Sequence, residues 1–348
     1  MPQVFETLLG DRTLFIETGK LANQADGAVV LRYGDTVVLV TACVSGKIPG
    51  SFIRRESRPS MDAILADRLC DRSLRPLFPK SFRNEIQVVI TVLSTDQEND
   101  PDILAITGAS AALVISQIPF DGPVAAVRVG CIDGELVLNP TFSQLAESSL
   151  DIVVSGTTDA LVMIESDAKE VDNELILKAI RFGQEANQEL IRLQQQLIQA
   201  CGKPKMEFIP PPADSELERE VSAIVGDRLK EAAFKQKEER IKDFAAIEEE
   251  LKQKLEDKFE PKQVSAALDS LLKQAVRAQI LDHGTRVAGR GLTEVRPISC
   301  EVGLLPRTHG SALFTRGGTQ ILTLTTLGPG RKEQLIDTIS PEETKRFL

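Results

Sequence analysis

The chain has 348 residues, of which 42% are hydrophobic and 26% charged, and its formal net charge is −10. This length corresponds to about two domains, and the composition is typical of a soluble globular protein. Five scattered cysteines, none in a Cys-x-x-Cys pair, argue against a disulfide framework or a zinc site and for a reducing cytosol, and two histidines argue against a His-based metal centre. No apolar stretch approaches the roughly 20 residues that span a bilayer, and the first residues lack a signal-peptide pattern, so we expect a cytoplasmic protein without membrane contact.

The first part of the chain, residues 1–209, mixes strand and helix patterns. Three short apolar, β-branched runs predict buried strands: residues 37–41, 86–92 and 150–154. Asp102 is a candidate N-cap for a helix of small residues from 103 to 116. A second helix is predicted to begin at Asp172 or Asn173 and to end before Gly202. Together these elements predict an α+β domain with a mixed sheet.

A basic segment interrupts this acidic chain, since residues 54–83 hold eight Lys/Arg and four Asp/Glu. A loop-like run at its start, residues 50–60, carries one aromatic and three basic candidates: Phe52, Arg54, Arg55 and Arg58. An aromatic ring can stack on a base while guanidinium groups hold phosphates, a combination that suits single-stranded nucleic acid. The alternative is a solvated loop with salt bridges to Glu56.

The second half of the basic segment reads as a helix with Arg68, Arg72 and Arg75. Their i, i+4, i+7 spacing places the three side chains on one side of the helix, where they could follow a phosphate backbone. The alternative is ion pairing within the helix, because Asp71 precedes Arg75 by four residues.

Residues 210–286 change character and predict an all-helical domain. Three consecutive prolines, 210–212, cannot continue a helix and mark the boundary. The following segment is rich in Lys, Glu, Ala and Leu, and its helical spacing brings Glu248 to Lys252 and Glu250 to Lys254. The charged stripe is most simply a solvent-facing surface.

The opening pattern of the chain then returns in residues 287–348. Arg12, Glu17, Gly19 and Leu21 recur 284 positions later, where Leu14 corresponds to Ile298. A second set of four residues recurs 283 positions later: Gly27, Gly34, Thr36 and Leu39. Ordered identities over this distance favour duplication of a whole domain. Because the second copy reaches only the equivalent of residue 65, we expect an incomplete piece of a longer protein with unpaired apolar strands around residues 321–327.

Three motifs resemble the bacterial polynucleotide phosphorylase family: residues 48–56, 68–79 and 305–317. The order of domains is also similar: one RNase PH-like core, a helical domain and the beginning of a second, truncated RNase PH-like core. The resemblance implies a homotrimeric ring that binds single-stranded RNA and degrades it from the 3′ end. It also implies inorganic phosphate as co-substrate, release of nucleoside diphosphates, Mg²⁺ as cofactor, and contact with RNA-degradation machinery.

The resemblance implies that Phe52, Arg54 and Arg55 form a neck loop around the RNA channel, with Ile53 where the family has a second aromatic. It places the catalytic and metal-binding residues in the second core, beyond Leu348, so none is assigned in this chain. In the first core, Asn99, Asp100 and Asp102 stand where a serine-rich phosphate loop would be, and Val153 replaces a lysine. We therefore expect the first core to handle RNA without catalysing its cleavage.

Four further expectations concern single residues or alternatives. Arg307 and Arg316 are candidate RNA-facing groups, while His309 is either an RNA neighbour or a turn residue. Four carboxylates resemble a metal cluster by composition alone, and a solvated, capped helix start is the favoured interpretation: Asp96, Glu98, Asp100 and Asp102. The alternative function for the chain is a non-catalytic RNA-binding ring subunit.

Overall fold

The computed structural model describes residues 2–45, 59–82, 84–208, 215–235, 237–339 and 344–347. The chain forms two compact units, Met1–Pro210 with Glu333–Leu348, and Pro211–Lys332. Each unit has its own hydrophobic core. Among the described helices, none has the length and apolarity needed to cross a lipid bilayer.

The first unit contains a five-stranded antiparallel sheet whose order follows the chain. Its strands are β1 (Gln3–Leu9), β2 (Arg12–Thr18), β3 (Gly27–Tyr33), β4 (Thr36–Ser45) and β5 (Glu85–Ser94). Successive side chains alternate between the two faces, as strand geometry requires. Leu14, Leu31 and Val40 on the inner face are fully buried, while Arg32 on the outer face lies over the ring of Phe15. The predicted strands at residues 37–41 and 86–92 are confirmed.

A second sheet in the same unit has four antiparallel strands in the order β7-β6-β8-β9. Its strands are β6 (Ala125–Ile132), β7 (Glu135–Leu138), β8 (Leu150–Gly156) and β9 (Leu161–Ala168). Strand β8 is buried along nearly its whole length, as its apolar sequence predicts. Because helices and antiparallel sheets share one core, the α+β expectation is confirmed.

Four helices cover these sheets: α1 (Met61–Leu74), α2 (Pro101–Ile115), α3 (Phe142–Glu147) and α4 (Asn173–Cys201). Helix α2 contacts β3, β4 and β6, and α4 contacts β6 and β8. Close approach of α2 depends on small residues, since a Cβ atom on Gly108 would lie 2.8 Å from side-chain atoms of Leu31 and Val40. The predicted N-cap of α2 was wrong: Asp100, not Asp102, caps the helix by accepting from the backbone N–H of Asp102 at 2.8 Å.

Four helices also begin the second unit: α5 (Ser215–Val225), α6 (Arg228–Phe234), α7 (Lys237–Leu255) and α8 (Pro261–His283). They enclose a small apolar core that includes Val221, Leu251 and Val264. The predicted ion pairs are present, Glu248 with Lys252 at 2.7 Å and Glu250 with Lys254 at 2.8 Å. Helix α8 ends where Gly284 adopts a left-handed conformation, which a residue without a Cβ atom enters at little cost.

The second unit continues into a three-stranded antiparallel sheet of β10 (Ile298–Val302), β11 (Gly310–Arg316) and β12 (Thr319–Thr325). Its register repeats that of β2–β4. Leu14 pairs with Tyr33 and Ile298 with Arg316, while Val29 pairs with Val40 and Ala312 with Thr323.

The backbone of the second copy supports the predicted duplication as well. Gly34 and its counterpart Gly317 have φ values of 61° and 59°. The expectation of unpaired strands was wrong, because β12 pairs with β11, although the Ile321 and Leu324 side chains remain exposed. Two short strands, β13 (Gln334–Leu335) and β14 (Thr344–Lys345), belong to the first unit.

Candidate nucleic-acid interface

Helix α1 presents the predicted basic stripe on its solvent side. The helix begins where the Ser60 hydroxyl accepts from the backbone N–H of Ala63 at 3.2 Å. Its buried side consists of Leu69, Cys70, Ser73 and Leu74. The three arginines that follow the i, i+4, i+7 spacing are all exposed: Arg68, Arg72 and Arg75. The spacing therefore predicted that the three side chains share an exposed side, and their contact with RNA stays a prediction.

Two of these three arginines have carboxylate partners. Arg75 donates to both Asp71 oxygens, at 2.8 and 2.6 Å, and these bonds raise its pKa. Arg72 forms an ion pair with Glu165 on β9, which joins α1 to the four-stranded sheet. Arg68 has no partner among the described residues. Since exposed ion pairs contribute only about 0–1 kcal/mol, an approaching phosphate could replace either carboxylate.

Phe52, Arg54, Arg55 and Arg58 lie outside the described residues, and their assignment rests on the sequence.

The first core contains an arginine, Arg128, beside the segment that was expected to have lost the ability to bind phosphate. Arg128 on β6 is paired with Asp100 at 2.7 Å, and its Nε lies 3.2 Å from Asp151 without hydrogen-bond geometry. The guanidinium therefore neutralises Asp100, which the resemblance places at the phosphate-loop position, and Asp151, which lies two residues before Val153. Asp100 also occupies the N-terminus of α2, where helix amides could otherwise meet an anion.

Carboxylates also line a neighbouring cavity of about 360 Å³ between α1, β5 and the start of α2. Four of its lining residues are acidic: Asp62, Asp67, Asp100 and Asp102. Burial, with repulsion from Asp100 opposed by Arg128, raises the pKa of Asp102 to about 7. Burial likewise raises the pKa of Asp151, although Arg128 opposes this shift. An acidic cavity of this kind repels a phosphate group.

The remaining carboxylates before α2 hold the turn together. Asp96 accepts from the backbone N–H groups of Glu98 and Asn99 at 2.9 and 2.7 Å. Although burial opposes ionisation, these bonds and those from the Asn99 and Thr36 side chains hold the pKa of Asp96 below its usual range. Within the described residues, no group of three or more His, Cys, Asp or Glu side chains could hold a metal ion.

The candidates in the second unit lie at the turns of β10–β12. Arg316 ends β11 and is exposed, and Arg307 lies in the turn before that strand. His309 accepts from the backbone N–H of Leu327 through Nδ1 at 2.8 Å, so it stabilises this turn. Neither arginine forms an ion pair with any carboxylate that the structure describes.

Sequence analysis missed Arg128. Its signal was a single charged residue among the small and apolar residues of 125–131, in a strand that is buried along most of its length. A buried guanidinium requires a carboxylate partner. The pattern alone does not show which of the many acidic residues fulfils that role.

Family models match most of the chain. Domain 1 of the 3′ exoribonuclease family matches residues 10–52, 43–119 and again 294–343, and domain 2 matches residues 122–186. The RNA-binding domain of polyribonucleotide nucleotidyltransferase matches residues 216–291. The two separate matches to domain 1 agree with the repeated strand register.

Curated relatives extend over the whole chain. A polyribonucleotide nucleotidyltransferase from Thermomicrobium roseum is 47% identical, covering 98% of this chain and 48% of that protein. Proteins of the same name from Chloroflexus aggregans and Dehalococcoides mccartyi are 48% and 46% identical, covering 98% and 99% of this chain and 49% and 51% of the relatives. The crystal structure of rice (Oryza sativa) Rrp46 is 17% identical, with a TM-score of 0.46 over 55% of this chain and 96% of that one. The chain belongs to the polyribonucleotide nucleotidyltransferase family and spans about half the length of the curated relatives it matches.

Proposed function

We propose that this chain binds single-stranded RNA for a phosphorolytic 3′-to-5′ exoribonuclease, as part of mRNA degradation and RNA processing. The observation that carries the proposal is the exposed arginine stripe of α1 in a member of this family. Arg68 has no partner among the described residues, and the partners of Arg72 and Arg75 are exposed carboxylates. These groups are available to phosphates of an unpaired strand, whose bases could stack on Phe52.

The salt dependence of RNA binding tests this assignment. The triple variant Arg68→Gln/Arg72→Gln/Arg75→Gln removes three positive charges from α1. Each phosphate contact in a single strand contributes about 0.7 to the slope of log affinity against log salt, so the slope should become shallower by about 2. Fluorescence anisotropy with a labelled A20 oligoribonucleotide, between 50 and 200 mM KCl, measures both the affinity and this slope.

A matched control removes the same charge from another helix. Lys178, Arg181 and Arg192 are exposed on α4, so Lys178→Gln/Arg181→Gln/Arg192→Gln should leave the slope nearly unchanged. Equal effects of the two triple variants would show that only net charge matters and would refute the α1 assignment.

The predicted neck loop is tested separately. Phe52→Ala/Arg54→Ala/Arg55→Ala should weaken RNA binding several-fold through loss of stacking and phosphate contacts.

We further propose that the first core does not catalyse phosphorolysis. The Arg128–Asp100–Asp151 cluster and the acidic cavity support this, since both disfavour a bound phosphate. The carboxylates that are present do not fit a Mg²⁺ site, because Asp100 and Asp151 are engaged by Arg128 and Asp96 by backbone amides. We therefore assign no step in this chain to Mg²⁺, and we place the metal and the phosphate co-substrate in the second core of the longer protein.

A phosphorolysis assay checks this division. The 348-residue chain, incubated with A20, phosphate and Mg²⁺, should release no nucleoside diphosphate above background. Robust diphosphate release would show that the first core is active. RNA binding without any phosphorolysis by the longer protein would instead favour the alternative, a non-catalytic RNA-binding ring subunit.

A homotrimeric ring and a cytoplasmic location complete the proposal. Met61, Ile64 and Leu65 precede Arg68 on α1 and are 41–58% exposed, as is common for apolar groups covered in an assembly. All five cysteines are free, which suits a reducing compartment. Mass photometry of the chain should detect a species of three subunits, and a monomer at micromolar concentration would contradict assembly through this part of the protein. Recruitment to RNA-degradation machinery is a further expectation from the family.

A further inference from the structure

The balance of charge reverses where the helical domain ends. Residues 215–285 contain thirteen Lys/Arg and sixteen Asp/Glu, whereas residues 286–316 contain five arginines and only Glu294 and Glu301. Many cations of the helices are neutralised, for example Arg228 by Glu250 at 2.8 Å and Lys258 by Glu220. No arginine of residues 286–316 forms an ion pair with a carboxylate within the described part of the chain.

Two of these arginines are fixed beside each other by a short turn after α8. The backbone N–H of Arg286 donates to the carbonyl of Arg290 at 2.7 Å, which closes the turn. The Arg286 guanidinium donates to the carbonyls of Leu292 and Glu294, each at 3.0 Å, so its position is set by the backbone. Arg290 differs, because its Nε is buried and has no hydrogen-bond partner.

Two more arginines continue the series onto the sheet. Arg296 lies over the β11–β12 turn, since a Cβ atom on Gly317 would come within 3.3 Å of its Cδ. The same turn is tied to the chain next to Arg296 by a bond from the Gly317 N–H to the Pro297 carbonyl at 2.9 Å. Arg316 directly precedes Gly317 and pairs with Ile298. Desolvation and the positive charges of Arg286 and Arg296 lower the pKa of Arg290, while the carboxylate of Glu294 opposes this shift.

Glu294 offsets only part of the positive charge around Arg290, whose pKa is still lowered. The remaining like charges repel one another, and a bound anion removes that cost. The four arginines lie along a half-buried turn after α8 and the adjoining ends of β10 and β11. Such an arrangement suits the successive phosphates of an extended strand better than a single small anion.

We infer that Arg286, Arg290, Arg296 and Arg316 form an arginine strip that binds the phosphate backbone of single-stranded RNA. The inference rests on the proposed function and adds a second RNA contact to that of α1. Arg286 and Arg290 lie within the match to the family's RNA-binding domain, and Arg296 and Arg316 lie outside it. RNA recognition in this chain therefore extends past the helices into the repeated sheet.

The double variant Arg290→Gln/Arg296→Gln tests the strip and spares Arg286, whose guanidinium holds the turn. With labelled A20 at 100 mM KCl, we expect about fivefold weaker binding and a salt slope shallower by about 1.4, which corresponds to two phosphate contacts. The matched control is Arg219→Gln/Arg277→Gln, which removes two exposed arginines from α5 and α8 and should change neither quantity by much. Unchanged affinity and slope in Arg290→Gln/Arg296→Gln would overturn the inference.

A second measurement separates binding from a structural role. Hydrogen exchange of the unsubstituted chain at saturating A20 should slow at amides of residues 285–297, and no protection there would also overturn the strip. The lysine variant Arg290→Lys/Arg296→Lys keeps the charge and should restore most of the affinity, whereas a purely structural role would not be rescued. Competition by inorganic phosphate as effective as that of A20 would show a simple anion site and refute the extended contact.

The two proposals fail in different ways. If the strip is wrong and the proposed function right, the α1 triple variant weakens RNA binding while Arg290→Gln/Arg296→Gln does not. If the unsubstituted chain does not bind A20 at all, both proposals are refuted.

Discussion

The two copies of the repeated strand unit have the same backbone and different surroundings. Strands β2–β4 and β10–β12 share their register and their turn glycines, yet Leu14 and Leu31 are buried while their counterparts Ile298 and Phe314 are 53% and 38% exposed. The difference is helix α2, which covers β3 and β4 in the first copy. Hairpin pairing is therefore encoded locally, and burial is provided by a partner element far along the chain.

The same partner explains why polar groups differ between the copies. Arg12 donates to the side-chain carbonyl of Asn99, next to α2, at 2.5 Å. Its counterpart Arg296 has no such acceptor among the described residues and lies beside other arginines. Equivalent arginines thus have a structural role in one copy and a proposed binding role in the other.

The largest expected effect comes from paired glycine substitutions. A Cβ atom on Gly27 would lie 2.0 Å from the Ala112 carbonyl oxygen of α2, whereas one on Gly310 would meet only Thr325, at 3.4 Å. Gly27→Ala should lower the free energy of unfolding by about 3 kcal/mol or more, and Gly310→Ala by less than about 0.5 kcal/mol. Tyr33 is the only tyrosine, and the chain has no tryptophan, so its fluorescence in urea reports on the first core. Circular dichroism reports the helices of both units, so a transition that tyrosine fluorescence does not detect belongs to the second unit. Equal tolerance of both variants would refute the role of α2.

The next largest effect is expected at Arg128, which pairs with two carboxylates in the first core. Arg128→Met leaves Asp100 and Asp151 facing each other without a cation, which should cost about 3 kcal/mol at pH 8. The loss should shrink as the pH is lowered from 8 to 5, because burial raises the pKa of Asp151 and the variant lacks the guanidinium that opposes this shift. Urea unfolding at both pH values measures this, with the exposed Arg181→Met as control. A loss that does not depend on pH would indicate a packing defect instead.

A third prediction concerns the acidic cavity beside α2. Burial raises the pKa of Asp102 from its ordinary 3.8 to about 7, so between these values the folded state binds a proton more tightly than the unfolded state. The contribution of Asp102 to stability therefore falls as pH rises from about 4 to 7, and the ionised carboxylate is unfavourable above that range. Asp102→Asn should stabilise the first core by on the order of 2 kcal/mol at pH 8 and have little effect at pH 4. Stabilisation that is equal at both pH values would contradict this account.

The smallest effect compares the two equivalent arginines. Arg12→Ala removes a donor from the buried Asn99 and should lower the free energy of unfolding by about 1 kcal/mol. Arg296→Ala should change stability by less than about 0.5 kcal/mol, because Arg296 is exposed and has no carboxylate partner in the described chain. Thermal unfolding followed by tyrosine fluorescence and circular dichroism distinguishes the two. A larger loss for Arg296→Ala would mean that this residue has a structural role.

Local patterns predicted much of the fold. The strands around residues 37–41, 86–92 and 150–154, the long α4 and the Glu–Lys pairs of α7 follow from periodicity and spacing within a short segment. The duplication could also be predicted, because the turns of both copies need a residue with positive φ, and glycine occupies both positions.

Interactions between distant segments were not predictable. The pairing of Arg72 with Glu165 joins residues 93 positions apart, and that of Arg128 requires α2 and β8 to be assembled first. The error at the α2 cap has a local cause, since Asp100 and Asp102 are both capable of accepting the amide bonds of a first turn. The RNA contacts of α1 stay predictions, because spacing gives the orientation of a guanidinium and not its ligand.

The ion pair between Arg72 and Glu165 has a consequence for the movement of RNA along α1 under the proposed function. A phosphate that engages Arg72 must displace Glu165, so each arrival is opposed by a carboxylate that returns when the phosphate leaves. Under the proposed function, binding of a phosphate at this position is therefore weak, and an RNA that advances one nucleotide at a time is not held there. Glu165→Gln would remove this competing carboxylate, and we expect tighter RNA binding together with slower translocation.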